Sequence, residues 1–218
     1  MDTEKGHLTR SIGLIPERML STPVSVIGAG AVGSCAVMAL AKMGFHDLAV
    51  WDFDKVDEVN IGNQFYRFQD IGKYKVRALK ELVIDFAAVP IADFSERFTG
   101  SDRKGVYIVA VDSMASRKEV WSWVRGLPGA SWYLDPRMGA EMASLRVVGP
   151  NMPTTWEAYE KTLWEDSSIP NEPCTAKSTI YTAMNLGALC AQTVRDCLQD
   201  TAKKEYQWDI RGHILETY

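Results

Sequence analysis

Gly28, Gly30 and Gly33 follow a short apolar run at G-x-G-x-x-G spacing, inside a stretch (23–41) that carries no charge. Glycines so placed permit a tight turn at Gly28, close approach of a phosphate at Gly30, and tight helix–strand packing at Gly33. A helix that begins after Gly30 turns its free N–H groups toward such an anion. Asp52 ends the next apolar run, about 20 residues on, where a carboxylate accepts from a ribose hydroxyl. Lys75 and Arg77 fall in the first turn of another helical pattern, the end where cations are unfavourable unless an anion is to be met there. Asp112 closes a further buried strand, at the end where open α/β sheets bind ligands. The chemistry these types suit is binding and handling a nucleotide through its phosphates. A glycine turn kept for packing and a solvated Lys75 are the plainer readings of the same residues.

The residues beyond Asp52 narrow this further. Residues 52–64 read D-F-D-x-V-x-x-x-N-I-x-x-Q, residues 70–76 read D-I-G-x-x-K-V, and residues 112–117 read D-S-M-A-S-R. On Gly28, Gly30, Gly33, Asp52, Asp54, Asn60, Gln64, Gly72, Lys75, Asp112 and Arg117, the chain resembles the ThiF/MoeB/E1-like family, the ATP-dependent activators of ubiquitin-like and sulfur-carrier proteins. The resemblance is close over residues 12–117 and loose from there to 198. It implies adenylation of a carrier's C-terminal glycine carboxylate, with ATP and Mg²⁺ as cofactors and, typically, a homodimer. Lys75 would then neutralise the phosphates, Asp112 would hold Mg²⁺, Asp52 would take the ribose hydroxyls, and Asn60 and Gln64 would position the phosphates. Asp54 belongs to the same nucleotide-binding set.

The chain departs from this family in two places. Where the family reads N-x-x-R-Q, this chain has N-I-G-N-Q, with Asn63 in place of the phosphate-binding arginine. Arg67, four residues on, and Arg10 from a partner subunit are the candidate replacements; Arg10 is equally readable as a solvated surface residue. The alternative is a non-catalytic E1-like subunit that binds a carrier or a partner E1. The four cysteines, Cys35, Cys174, Cys190 and Cys197, form no C-x-x-C pair, so the zinc site of many family members is not expected. Cys174 precedes a helix and lies off its apolar face. It fits a thioester-forming thiol, since a helix N-terminus lowers a thiol's pKa, or a structural residue. A nicotinamide oxidoreductase would use the glycines and Asp52, but it has no use for Asn60, Gln64 and Lys75.

The elements that must position these residues are readable. The chain has 218 residues, enough for one domain with a sizeable core. We expect a single α/β domain over 1–218: a Rossmann-like, mostly parallel sheet with helices on both faces and antiparallel strands in the C-terminal part. Residues 1–23 form an N-terminal segment, 24–125 a nucleotide-binding half, and 126–218 a C-terminal half with a mobile crossover at about 151–173. Apolar runs predict strands over 24–27, 48–51, 91–98, 107–111, 132–135 and 143–148, with the last two joined by P-R-M-G-A-E. Periodicity predicts helices over 31–43, 73–86, 113–125 and from 178. Asp135 and Arg137 fall at strand-end positions near a substrate. The tail around Tyr206, Trp208 and Ile210 suits an edge strand or a dimer contact. Lys+Arg 24 against Asp+Glu 28 gives a net charge of −4, so neither nucleic acid nor an anionic membrane is an expected partner. His7, His46 and His213 show no ligand spacing. The first residues lack a basic-then-apolar leader pattern, so a cytoplasmic protein is expected.

Overall fold

The computed structural model describes Leu8 and residues 13–127, 132–150, 153–164 and 178–218. Arg10 and Cys174 lie outside the described residues. The elements run in the order β1 (Val24–Ile27), α1 (Ala31–Met43), β2 (Leu48–Trp51), α2 (Lys75–Ala87), β3 (Ala92–Phe94), β4 (Val106–Val109), α3 (Met114–Gly126). After α3 come β5 (Trp132–Gly139), β6 (Met142–Val148), α4 (Pro153–Glu160), α5 (Ile180–Leu198), β7 (Glu205–Asp209) and β8 (Ile214–Thr217). Among the described residues no helix is long and apolar enough to cross a membrane.

The protein is α/β, with one eight-stranded sheet in the order β3-β2-β1-β4-β5-β6-β7-β8. The pairs from β3 to β5 are parallel, and those from β5 to β8 are antiparallel. Strands β1, β2 and β4 are buried at every position, as expected of parallel strands covered on both faces. One core joins β1, β2, β4 and β6 to α1, α2 and α5. A second, on the opposite face, joins Trp51, Tyr107 and Tyr133 to Val120, Trp121 and Val124 of α3 and to Tyr159 of α4. Helices α1 and α5 meet so closely that a Cβ on Gly187 would lie 2.6 Å from the Cβ of Cys35. From β1 the chain runs outward through β2 and β3, then returns to the other side of β1 as β4. The C-terminal ends of β1 and β4 therefore flank the point where the strand order reverses, the usual ligand crevice of such sheets.

Five differences from expectation stand out, most of them with local causes. Helix α2 begins at Lys75 rather than 73, because Lys73 reaches back to Asp70 and across to Glu81 while Tyr74 is the N-cap. Strand β3 is three residues long, because only Ala92, Asp93 and Phe94 pair with β2. The hairpin of β5 and β6 is longer than expected, pairing continuously from Tyr133 with Val148 to Gly139 with Met142. Pro136 is tolerated within it because pairing to β4 stops at Leu134, leaving β5 an edge there. Finally, 153–160 is not loop. It forms α4, whose Trp156 and Tyr159, three residues apart on one helical face, pack into the second core. The tail contributes two strands where one was expected.

Candidate nucleotide site

The glycine turn is built by close backbone approach. Gly28 N–H donates to Trp51 O (2.8 Å), and Ala110 N–H donates to Ile27 O (2.8 Å), so the ends of β1, β2 and β4 are tied together. Gly28 has φ +96°, and a Cβ there would lie 2.4 Å from Ala110 O. A Cβ on Gly33 would lie 1.9 Å from Gly28 O, so α1 rests directly on the turn. Gly30 differs: a Cβ there would meet nothing within 4 Å. It is the N-cap of α1 and supplies no side-chain cap to the helix, at the end where a helix's first N–H groups lack intrahelical partners. Two of the three glycines are thus required by the protein's own packing, and the middle one faces room for a ligand.

Asp52 sits at the end of β2. Its Oδ2 accepts from Ala29 N–H (2.7 Å) and its Oδ1 from Asp54 N–H (2.8 Å). Burial raises its pKa, against the lowering effects of Lys75 and of these two N–H groups. Each oxygen keeps a lone pair for a hydroxyl donor. Lys75 opens α2 and is 7% exposed. Its N–H donates to Asp54 O (2.9 Å) and its Nζ pairs with Asp54 Oδ2 (2.9 Å). The partner carboxylate is half-exposed, at 53%, so the ammonium is the buried, fixed member of the pair.

Residues 60–66 wrap the turn. Asn60 Oδ1 accepts from Asp57 N–H (2.9 Å) within a short 3₁₀ turn, Glu58–Asn60. Phe65 N–H donates to Ser34 Oγ (3.1 Å), and the Tyr66 hydroxyl donates to Ala29 O (2.6 Å). Burial pushes the Tyr66 phenol well above its ordinary value, which keeps it a donor. Asn63 Nδ2 donates to Ser178 Oγ (2.5 Å), just before α5. Asn63 Oδ1 and the neighbouring Gln64 Oε1 are both buried without a partner. Buried acceptors are rarely left so in a folded protein.

The structure therefore brings Gly28, Gly30, Gly33, Asp52, Asp54, Asn60, Gln64 and Lys75 to one edge of the sheet. Asp112 is exposed on the loop between β4 and α3, at that same edge. Arg67 does not join them freely. It grips Asp70 through Nε (2.9 Å) and Nη2 (3.0 Å) and reaches Glu81 and Asp85 at 3.3 Å each. That use ties the 3₁₀ turn Phe68–Asp70 to α2 and takes up its charge. Cys35, Cys190 and Cys197 are buried and free, and burial pushes the Cys35 thiol up to about 11. A separate open cleft of about 470 Å³, between Glu141, Tyr181, Trp208 and Arg211, includes none of these residues. Sequence carried no signal for Tyr66 or Ser34, whose roles depend on a loop folding back onto the turn.

The residues suit a nucleoside triphosphate with Mg²⁺. Open space at Gly30, the N-terminal end of α1 and the buried ammonium of Lys75 are the features that suit phosphates. Among the described residues no group of three or more His, Cys, Asp or Glu could hold a metal by itself. Asp112 is the exposed carboxylate at this edge that would ligate Mg²⁺, a cation that takes one or two carboxylates and keeps phosphate and water as its other ligands.

Residues 13–120 match the ThiF family model. The chain is 35% identical over 68 residues to ubiquitin-like modifier-activating enzyme 5 of Caenorhabditis elegans, which covers 31% of this chain and 16% of that protein. It is 32% identical over 69 residues to the probable adenylyltransferase/sulfurtransferase MoeZ of Mycobacterium tuberculosis, covering 31% of this chain and 18% of that one. The chain thus spans less than a fifth of the length of either relative. In three dimensions it is similar to Escherichia coli MccB solved with ATP, with a TM-score of 0.74 at 14% identity, over 100% of this chain and 71% of that one. At that identity the likeness shows the fold.

Proposed function

The chain belongs to the ThiF/E1-like family, and from that premise we propose that it adenylates the C-terminal glycine carboxylate of a ubiquitin-like or sulfur-carrier protein. In this reaction a carboxylate oxygen forms a bond to the α-phosphorus of ATP, the bond from that phosphorus to the bridging oxygen breaks, and pyrophosphate leaves with the electron pair. Charge gathers on phosphate oxygens, so fixed cations and N–H donors account for most of the barrier lowering. The observation that carries the reading is Lys75: a buried ammonium at the start of α2, held by the half-exposed carboxylate of Asp54 and within electrostatic reach of Asp52 at the end of β2. In our reading Lys75 leaves Asp54 for the phosphates, Asp52 takes the ribose, and Asn60 and Gln64 orient the triphosphate. Asp112 would hold Mg²⁺, which supplies charge neutralisation when bound. Arg67 is left out of the site, since three carboxylates already claim it. Arg10 of a second copy and Cys174 as an acyl acceptor complete the proposal, in a cytoplasmic homodimer. ATP–pyrophosphate exchange that depends on a carrier ending in glycine is the test. Absence of exchange with every β-grasp carrier tried would defeat the reading.

Asn63 favours one rival. Its amide is engaged with Ser178 and brings no charge to the phosphates, as suits a non-catalytic subunit that binds a carrier or a partner E1. Calorimetry separates the two, because that subunit need not bind ATP at all.

A further inference from the structure

Beneath the loop that carries Asp112 lies a polar cluster that the nucleotide site does not use. Asp135 on β5 is fully buried. It pairs with Arg117 of α3 through Oδ1 and with Arg137 through Oδ2, from Nε (2.9 Å) and Nη2 (2.7 Å). The hydroxyl of Tyr159 on α4 donates to the same Oδ2 (3.0 Å) and lies 3.0 Å from the hydroxyl of Tyr133. Arg117 also donates to backbone, from Nη1 to Val109 O (3.0 Å) and from Nη2 to Val111 O (2.7 Å), while its Nε is buried without a partner. Those carbonyls bracket Ala110, whose N–H is bonded to β1 and whose carbonyl sets the limit for Gly28. Asp112 is the next residue along. Arg137 extends the cluster outward, with Nη1 on Thr162 O and Nη2 on Thr162 Oγ1, both at 3.1 Å. One carboxylate thus serves two guanidinium groups in a dry interior, an arrangement that is costly to bury and worth little as general stabilisation.

We propose that Asp135 is a positioning residue for the Mg²⁺ ligand Asp112, acting through Arg117, with Tyr159 linking α4 to the same clamp. The carboxylate fixes the planar fork of Arg117, the fork fixes the carbonyls of Val109 and Val111, and these fix where Asp112 leaves the sheet. The proposal rests on the adenylation reading for the role of Asp112, though not for the mechanical linkage. A group that orients a metal-binding carboxylate from behind typically changes metal affinity by about 10–100-fold when removed.

The test uses full-length Asp135→Asn and the milder Tyr159→Phe, which deletes one hydroxyl and keeps the charges. Two readouts apply: the Mg²⁺ concentration that half-saturates tight binding of a fluorescent ATP analogue, and hydrogen exchange of residues 109–113 in metal-free protein. We expect the Mg²⁺ requirement to rise about 10–100-fold in Asp135→Asn and by a smaller factor in Tyr159→Phe. Affinity should return to within about twofold of wild type at saturating Mg²⁺, because the glycine turn and Asp52 stand on β1 and β2. Exchange over 109–113 should quicken in both variants while exchange over 27–34 stays unchanged. If Asp135→Asn does not fold, Tyr159→Phe decides. A folded variant with wild-type Mg²⁺ requirement, or with unchanged exchange at 109–113, overturns the proposal. If wild type fails to bind nucleotide with Mg²⁺ at all, the adenylation reading falls and takes this role of Asp135 with it, whatever the exchange shows.

Discussion

Alanine substituted in turn for the three glycines of the β1–α1 turn separates what the fold needs from what a ligand needs. Gly28→Ala forces a residue with a Cβ into φ +96° with a backbone carbonyl 2.4 Å away. The left-handed conformation costs about 1–2 kcal/mol and the overpacking about 1–3 kcal/mol. Roughly 2–5 kcal/mol of destabilisation corresponds, in a chain of this size, to a loss of about 4–20 °C in Tm. Gly33→Ala should behave similarly, because its Cβ would collide with Gly28 O and push α1 off the turn. Gly30→Ala should not. Its φ is −76° and nothing lies within 4 Å of the added methyl, so the cost is a poorer N-cap, below about 1 kcal/mol. The same methyl occupies the space before the α1 N–H groups, where the phosphates are proposed to lie. ATP affinity in the presence of Mg²⁺ should fall at least about tenfold, or ~1.4 kcal/mol. Thermal melting and calorimetric titration on the same preparations provide the comparison. Should Gly30→Ala melt like wild type and bind ATP with unchanged Kd, the turn is not a phosphate site. Should Gly28→Ala melt like wild type, the steric account of the turn is wrong.

Lys75→Ala should lower exchange by about 10²–10³-fold, the scale of losing one preorganised charge partner; a rate within threefold of wild type would remove Lys75 from the chemistry. Asp112→Asn, at an exposed loop position, should leave Tm unchanged to within about 0.5 kcal/mol of stability while abolishing Mg²⁺-dependent exchange, which melting and exchange assays together establish. Thiol labelling by a maleimide at pH 8 should leave Cys35, Cys190 and Cys197 unmodified in the folded protein. Burial raises all three, and with a pKa of about 11 Cys35 is on the order of 0.1% thiolate there; its labelling should accelerate only as pH climbs toward 11. Peptide mapping that found Cys35 modified at pH 8 as fast as in denaturant would contradict that environment.

The bounds of β1, α1 and β2 coincide with the sequence expectation because each signal is local: an apolar run, a glycine turn, an uncharged helical stretch. Helix α3 starts one residue later than the expected 113, because Ser113 is its N-cap and accepts from Ser116 N–H. The start of α2 is not set locally, since the tie that removes Lys73 from the helix is to Glu81, eight residues away. Helix α4 was hidden by proline and polar neighbours, although Trp156 and Tyr159 were its signal. Of the candidate site, the glycines, Asp52 and Lys75 are readable from spacing, and Asp54, Asn60, Gln64 and Asp112 only from the family pattern. The occupation of Arg67 was invisible, because Asp85 joins it only once α2 lies alongside. The Asp135 cluster was half visible. Asp135 and Arg137, two apart on a strand, share a face, but Arg117 and Tyr159 reach them from separate helices across the sheet.

Asp52, Asp54 and Asp112 all stand at or just beyond strand ends, with Lys75 the cation that pairs among them. A triphosphate arriving there meets more negative than positive charge, and Lys75 must be drawn from Asp54 before it can serve the phosphates. Asp54 is half-exposed while Lys75 is buried, so solvent screens the pair from the carboxylate's side and loosens its hold on the ammonium. Neutralising Asp54 should therefore free the ammonium and remove a repulsion together. Asp54→Asn should bind ATP at low Mg²⁺ a few-fold more tightly than wild type, and the difference should shrink as salt is raised through about 0.15 M, where charges more than about 8 Å apart are screened. Titrations at two Mg²⁺ concentrations and two ionic strengths measure this. Weaker binding by Asp54→Asn at every condition would mean that Asp54 touches the nucleotide or its metal directly, as the family pattern implies, and that the Lys75 pair is part of the bound site rather than a lock that opens.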